Sequence, residues 1–177
     1  MKELLNGEIK KLENFSDFKK IFHAYSSFPY YEEWSEDEIR EEYEFNLEKG
    51  NIFGCFYNNE CVGLVTLVPA NSQEHPIRFE EPEKALYISN LIVRVEYRYH
   101  GFGTQITEFA VNFAKENGYK NIYFRYRESH EFGRRIANKF GFLKRYDICE
   151  EIVRPRTLKF SAKNQNSDLR FFMIKEL

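Results

Sequence analysis

Asn90-Leu-Ile-Val-Arg-Val-Glu-Tyr-Arg-Tyr-His-Gly-Phe-Gly-Thr104 runs from an apolar strand into a glycine-bracketed basic turn and then opens an amphipathic helix. Gly101 and Gly103 lack a Cβ, so the backbone there can bend sharply and approach a ligand closely. The first N–H groups of the helix that follows have no partner within it. Those donors, the positive end of the helix dipole and the charge of Arg98 suit an anion such as a pyrophosphate. The same turn also reads as a tight strand-to-helix connection that binds nothing. The helix itself is supported by Ile106, Phe109, Ala110, Phe113 and Ala114, which recur on one helical face before Asn117-Gly118 stops it.

Three other phosphate or nucleic-acid motifs fail letter by letter. A dinucleotide fingerprint needs a third glycine where Ile106 stands. A Walker loop needs Gly-Lys followed by Ser or Thr, and no such triplet occurs. His100-Gly-Phe-Gly103 opens like the octamer of an RNA-recognition module, but Thr104, Gln105 and Thr107 replace the residues that should follow.

The pattern that does fit is Arg/Gln-x-x-Gly-x-Gly/Ala, present as Arg98-Tyr-His-Gly101-Phe-Gly103 behind the strand Leu91-Ile-Val93 and Glu96-Tyr97. It resembles the acyl-CoA signature of the GNAT superfamily of N-acetyltransferases. Val95 stands where that family commonly has proline and Tyr99 where it commonly has glycine. A second block, Ala137-Asn-Lys-Phe-Gly-Phe142, is similar to the family's helix ending in Lys-x-Gly-Phe at the expected distance downstream.

The resemblance implies acetyl-CoA as co-substrate and direct transfer of its acetyl group to a primary amine of a small molecule or peptide. The main chain of Leu91, Ile92 and Val93 would hydrogen-bond the pantetheine arm, and Arg98, Tyr99, His100, Gly101, Phe102, Gly103 and Thr104 would hold the pyrophosphate. Lys139 and Arg135 would approach the 3′-phosphate. The backbone N–H of Val93 would stabilise the tetrahedral oxyanion. The family's thiolate acid is a tyrosine at the position held here by Ala137, and His130 is the nearest group able to donate a proton or contact the pantetheine. A glutamate that some members carry on the fourth strand is absent from Tyr87-Ile-Ser-Asn90, leaving Ser89 and Asn90 to orient an amine or a water. Together, Ala137 and the missing glutamate also fit a non-catalytic acyl-CoA-binding or regulatory domain on the same fold.

Composition bounds these readings. The 177 residues are expected to form one domain over 1–177. Charged residues make up 31% at a net charge of −2, which removes the global basic field of a nucleic-acid binder. No apolar run approaches membrane-spanning length, and the start lacks a signal-peptide core. Cys55, Cys61 and Cys149 form no Cys-x-x-Cys pair, read as small apolar residues and favour the reducing cytoplasm. No metal, nucleic acid or membrane is expected as partner, and the assembly is a monomer or homodimer.

Along the chain, Glu8–Leu12 alternates as a strand and Phe15–Ser26 is helix-spaced. Ser35 and Glu38 form a capping box for a helix running to Gly50. Strands Ile52–Tyr57 and Cys61–Val68 flank the turn Asn58-Asn59-Glu60, and Pro69–Glu83 has no periodicity. Ala85–Arg94 feeds the glycine turn. Asn121–Arg127 is a strand, His130–Lys139 a helix, and Leu143–Glu151 and Arg170–Lys175 closing strands. The order β-α-α-β-β-β-α-β-α-β-β gives an α/β chain of the mixed α+β type, with a mostly antiparallel mixed sheet of about seven strands flanked by about four helices. Phe28-Pro-Tyr30-Tyr31-Glu-Glu-Trp34 offers aromatic faces and acids to a cationic acceptor, and equally packs the first two helices.

Overall fold

The computed structural model describes residues 4–24, 34–127, 130–149 and 170–177. One six-stranded sheet runs in the order β1-β2-β3-β4-β5-β6. Its strands are β1 (Glu8–Lys11), β2 (Asn51–Tyr57), β3 (Glu60–Pro69), β4 (Ala85–Val93), β5 (Asn121–Arg127) and β6 (Arg170–Glu176). The helices are α1 (Phe15–Phe22), α2 (Glu36–Lys49), α3 (Phe102–Glu116) and α4 (Glu131–Phe140). Pairing is antiparallel for β1 with β2, β2 with β3, and β5 with β6. Packing groups the chain into two units, Met1–Val68 with Ile88–Phe113 and Pro69–Tyr87 with Ala114–Leu177.

In the first unit, α1 and α2 cover one face of the sheet. Phe18, Ile21 and Phe22 of α1 and Ile39 and Tyr43 of α2 meet Ile52, Leu64 and Ile92 in a single buried cluster. Ser35 starts α2 with a complete capping box: its Oγ accepts from the Glu38 N–H while Glu38 Oε2 accepts from the Ser35 N–H. α3 packs against β2 by other contacts, with the Phe53 ring edge-on to Phe109 at 4.7 Å and Phe113 at 5.1 Å. The β2–β3 hairpin closes through two left-handed residues, Asn58 and Asn59, at φ 50° and 63°. The turn is therefore one residue tighter than expected, because Glu60 already pairs with Tyr57.

In the second unit, α4 lies on β5. Gly133 presses on the Tyr126 ring, and Phe142 meets Phe124 edge-on at 5.0 Å. A separate cluster joins Tyr87, Tyr123, Phe172 and Ile174 to Ile77 and Phe79.

The expected strand Leu143–Glu151 is corrected. Residues 143–149 form only isolated bridges, Leu143 with Ile174 and Cys149 with Ile77. Between them Arg145 forks onto both Asp147 carboxylate oxygens, at 2.8 and 2.7 Å, and its carbonyl accepts the Ile148 and Cys149 N–H groups. Those local bonds close a turn where an extended ladder was expected, so six strands are found among the described residues rather than about seven. Residue 150 and the segment 151–169 lie outside the described residues, as does the end of the helix expected to reach Ser26.

Candidate functional site

β4 lies between β3 and β5 in the sheet, and alternation decides which of its main-chain groups face which neighbour. The Arg94 N–H donates to the Val62 carbonyl at 2.9 Å, so Arg94 faces β3. Main-chain groups of successive strand residues point to opposite edges. Ile92 therefore also faces β3, as its carbonyl's position over Gly63 confirms: a Cβ at Gly63 would lie 2.8 Å from it. Leu91 and Val93 turn their main-chain groups to the other edge. Of the three consecutive residues expected to contact the arm, Leu91 and Val93 turn main-chain groups to that side, and the Val93 carbonyl already accepts from Arg98 Nε.

After Val93 the chain makes a short 3₁₀ turn, Val95–Tyr97, held by charge. Glu60 accepts from the Tyr97 hydroxyl at 2.6 Å and from Arg94 Nη1 at 3.2 Å. These donors, Tyr97 first, and then Lys20, bring the Glu60 carboxyl down to about 2. Arg98 follows, and its Nε donates back to the Val93 carbonyl at 3.1 Å, with Nη2 3.4 Å from the Ala24 carbonyl. Half-burial of the guanidinium lowers the Arg98 pKa from its usual value. Arg98 therefore braces the strand while carrying its positive charge into the turn.

The turn itself uses left-handed backbone at Tyr99, φ 70°, and Gly101, φ 93°. Glycine carries no penalty there, whereas the tyrosine does. Tyr99 is 73% exposed, so packing of its ring does little to offset that cost. Thr104 and Gln105 N–H groups both reach the Gly101 carbonyl, at 3.0 and 3.1 Å. The N–H groups of Gly101, Phe102 and Gly103 have no partner among the described residues. They form the donor end of the 15-residue helix α3, three amides that an anion could engage, whereas the Thr104 amide is already bonded.

An N-terminal segment that no periodicity marked lies against this turn. The Leu5 N–H donates to the His100 carbonyl at 3.0 Å, Gln105 Nε2 donates to the Leu5 carbonyl, and the Gly7 N–H donates to Gln105 Oε1 at 2.9 Å. The only sequence signal was Gln105 itself, a long amide in the first turn of a helix.

The remaining candidates fall elsewhere. Asn90 is buried and bonded to Thr66 and Glu42, while Ser89 is half-buried beside it. Trp34 packs edge-on against Phe22 at 5.0 Å, and Tyr30 and Tyr31 lie outside the described residues. In the second unit His130 is the half-buried N-cap of α4, Lys139 is exposed on that helix, and Ala137 is buried in it. Among the described residues no group of His, Cys, Asp and Glu is placed to hold a metal. Nor is any helix there long and apolar enough to cross a membrane.

The model of the acetyltransferase (GNAT) family matches residues 17–142, through β4, the glycine turn and α4. The chain belongs to the GNAT acetyltransferase family. Solved structures of the same fold include an N-acetyltransferase from Staphylococcus aureus Mu50, at TM-score 0.71 and 16% identity, covering 97% of this chain and 99% of that one. A ribosomal-protein-alanine N-acetyltransferase from Brucella melitensis gives 0.70 at 15% identity, with 96% and 99% covered. A Bacillus subtilis acetyltransferase in complex with CoA gives 0.61 at 18%, with 97% and 98% covered. Among curated proteins none matches this GNAT chain by sequence.

Proposed function

We propose that this GNAT protein is an N-acetyltransferase that moves the acetyl group of acetyl-CoA to a primary amine of a small molecule or peptide. The observation that carries the reading is the set of three unpartnered amides at Gly101, Phe102 and Gly103, opening α3 directly behind β4. A pyrophosphate fits that set: the donors are consecutive at a helix N-terminus, Arg98 adds charge, and Gly101 supplies the left-handed bend that leads into them. Residues 1–177 act as one domain in this reading, since the family model runs through both packing units.

Acetyl-CoA supplies an activated thioester carbonyl. Leu91 and Val93, whose main-chain groups turn to the side of β4 away from β3, would meet the pantetheine amides, and the Val93 N–H would donate to the carbonyl oxygen as it gains negative charge. The acceptor ammonium gives one proton to water, the neutral nitrogen bonds to the carbonyl carbon and gives a second proton to water, and the C–S bond breaks with its electron pair on sulfur. His130, at the N-cap of α4, is the group assigned to protonate that sulfur, because Ala137 carries no proton to give. Lys139 is assigned to the 3′-phosphate as an exposed cation.

Calorimetric titration with acetyl-CoA tests the reading. One-to-one binding that Gly101→Asp abolishes in a folded protein supports it, and no binding by the wild type ends it. Ala137 favours a second reading, a domain that binds acyl-CoA without turnover. Tight binding with no thiol release across an amine screen would select that one.

A further inference from the structure

The amides of Gly101, Phe102 and Gly103 make up the cradle assigned to the pyrophosphate, and the first of them shares a peptide group with the His100 carbonyl. The described residues hold no cis peptide bond, so that N–H and that oxygen point to opposite sides of the peptide. On one side the Leu5 N–H donates to the His100 oxygen at 3.0 Å. The Gly101 N–H is thereby turned the other way, off the N-terminal segment.

Nothing in the turn itself fixes this choice. Glycine populates positive and negative φ about equally, so Gly101, at φ 93°, can leave the left-handed region as the peptide joining it to His100 rotates. Rotated, that peptide would present the His100 oxygen where the N–H stands, an acceptor facing a phosphate. Leu5 discriminates between the two orientations, because its N–H reaches the His100 oxygen in the observed one alone.

The position of the N-terminal segment is set elsewhere. It runs into β1, where Glu8 pairs with Phe56. Gly7 lies so close to its neighbours that a Cβ there would come within 2.5 Å of Cys55 Sγ and 3.2 Å of the Phe102 ring. Gln105 adds a further tie: Nε2 donates to the Leu5 carbonyl and Oε1 accepts from the Gly7 N–H at 2.9 Å, so one side-chain amide spans both main-chain groups as a peptide would. The segment is therefore a fixed partner, and the turn is the part that adjusts to it.

We propose that Leu5 and Gln105 are positioning residues for the cofactor: residues 4–7 are a strap that locks the peptide between His100 and Gly101 with its N–H toward the pyrophosphate, so that the cradle is built before the cofactor arrives. The proposal rests on the acetyl-CoA reading above.

Two variants test it. Leu5→Pro removes the N–H, and Gln105→Met removes both side-chain bonds at similar length. Each is compared with wild type by calorimetry and stopped-flow binding of CoA, beside a melting curve. A turn that flips before binding lowers the association rate in proportion to the competent fraction and leaves dissociation unchanged. Leu5→Pro should weaken CoA binding about threefold to tenfold, the range of one ordinary hydrogen bond, with the whole change in association. Gln105→Met should act in the same direction and by less. Unchanged affinity with a lowered melting temperature would make the strap purely structural and overturns the proposal. A loss carried by dissociation overturns it too, since that marks a contact within the complex. If neither variant folds, NMR of the wild type decides: scalar coupling across the hydrogen bond from the Leu5 N–H to the His100 carbonyl should be present without ligand and retained at saturating CoA, and its absence from either state overturns the lock. A wild type that binds no CoA is the separate failure of the acetyl-CoA reading, visible before any variant is made, and it removes the lock as well.

Discussion

Arg98 Nε and the Val93 carbonyl oxygen lie 3.1 Å apart, a bond that folds the basic turn back onto the strand it leaves. Removing it should loosen both partners. For Arg98→Ala the expected loss is about 1–3 kcal/mol of stability, the range for a partly buried charged hydrogen bond. Acetyl-CoA affinity should fall at least about tenfold because the cradle loses its charge. Denaturant melts and calorimetry read the two effects, and an Arg98→Lys variant that recovers affinity would show that the fork to Val93 is dispensable.

Gly101 should tolerate no side chain. At φ 93° any residue with a Cβ is strained, and the added atom would also lie 3.1 Å from the Leu4 side chain. Gly101→Ala should cost about 1–2 kcal/mol. Gly101→Asp should in addition abolish acetyl-CoA binding, by placing a negative charge against phosphate. A folded Gly101→Asp protein with wild-type affinity would mean that the turn does not carry the anion site.

Much of this was readable in advance because it depends on local chemistry. The capping box at Ser35 and Glu38, the glycine turn and the face of α3 all follow from side-chain type at fixed spacing, and Asn121–Arg127 is a strand as its pattern indicates. What escaped is the side-chain detail of one turn and a contact distant in sequence. The Arg145–Asp147 fork that breaks the expected Leu143–Glu151 strand is only two residues long, and alternation cannot reveal it. The bond between Glu42 and Asn90 was invisible, since the two are 48 residues apart and α2 is rich in exposed glutamates.

The thiols should be inert. Burial pushes the Cys55 pKa up to about 11 and the Cys61 pKa up to about 12. At pH 8 both are under about one per cent thiolate, the reactive form. Iodoacetamide should label them slowly in the native protein and fully after denaturation, as read by intact-mass spectrometry. Rapid native labelling of either would contradict the buried-thiol assignment.

Glu60 gives an acid signature. Its folded pKa, about 2, lies below the ordinary value of 4.5 because Tyr97, Arg94 and Lys20 donate to it. A depressed carboxyl pKa contributes stability that is fully present above pH 4.5 and is lost as pH falls towards 2. Glu60→Gln should therefore flatten the stability profile between those limits and leave the slope near pH 7 unchanged. The group is exposed, so the change should be small. A profile parallel to wild type throughout that window would remove Glu60 from the account of the turn.

The bonds that tie Leu5 and Gly7 to His100 and Gln105 make the beginning of the described chain a sensor of the glycine turn. The amide protons of Leu5 and Gly7 are shielded only while that turn keeps its shape. Their exchange with heavy water becomes a clock for opening and closing at the cradle, readable by mass spectrometry with no label, no acceptor and no catalytic turnover.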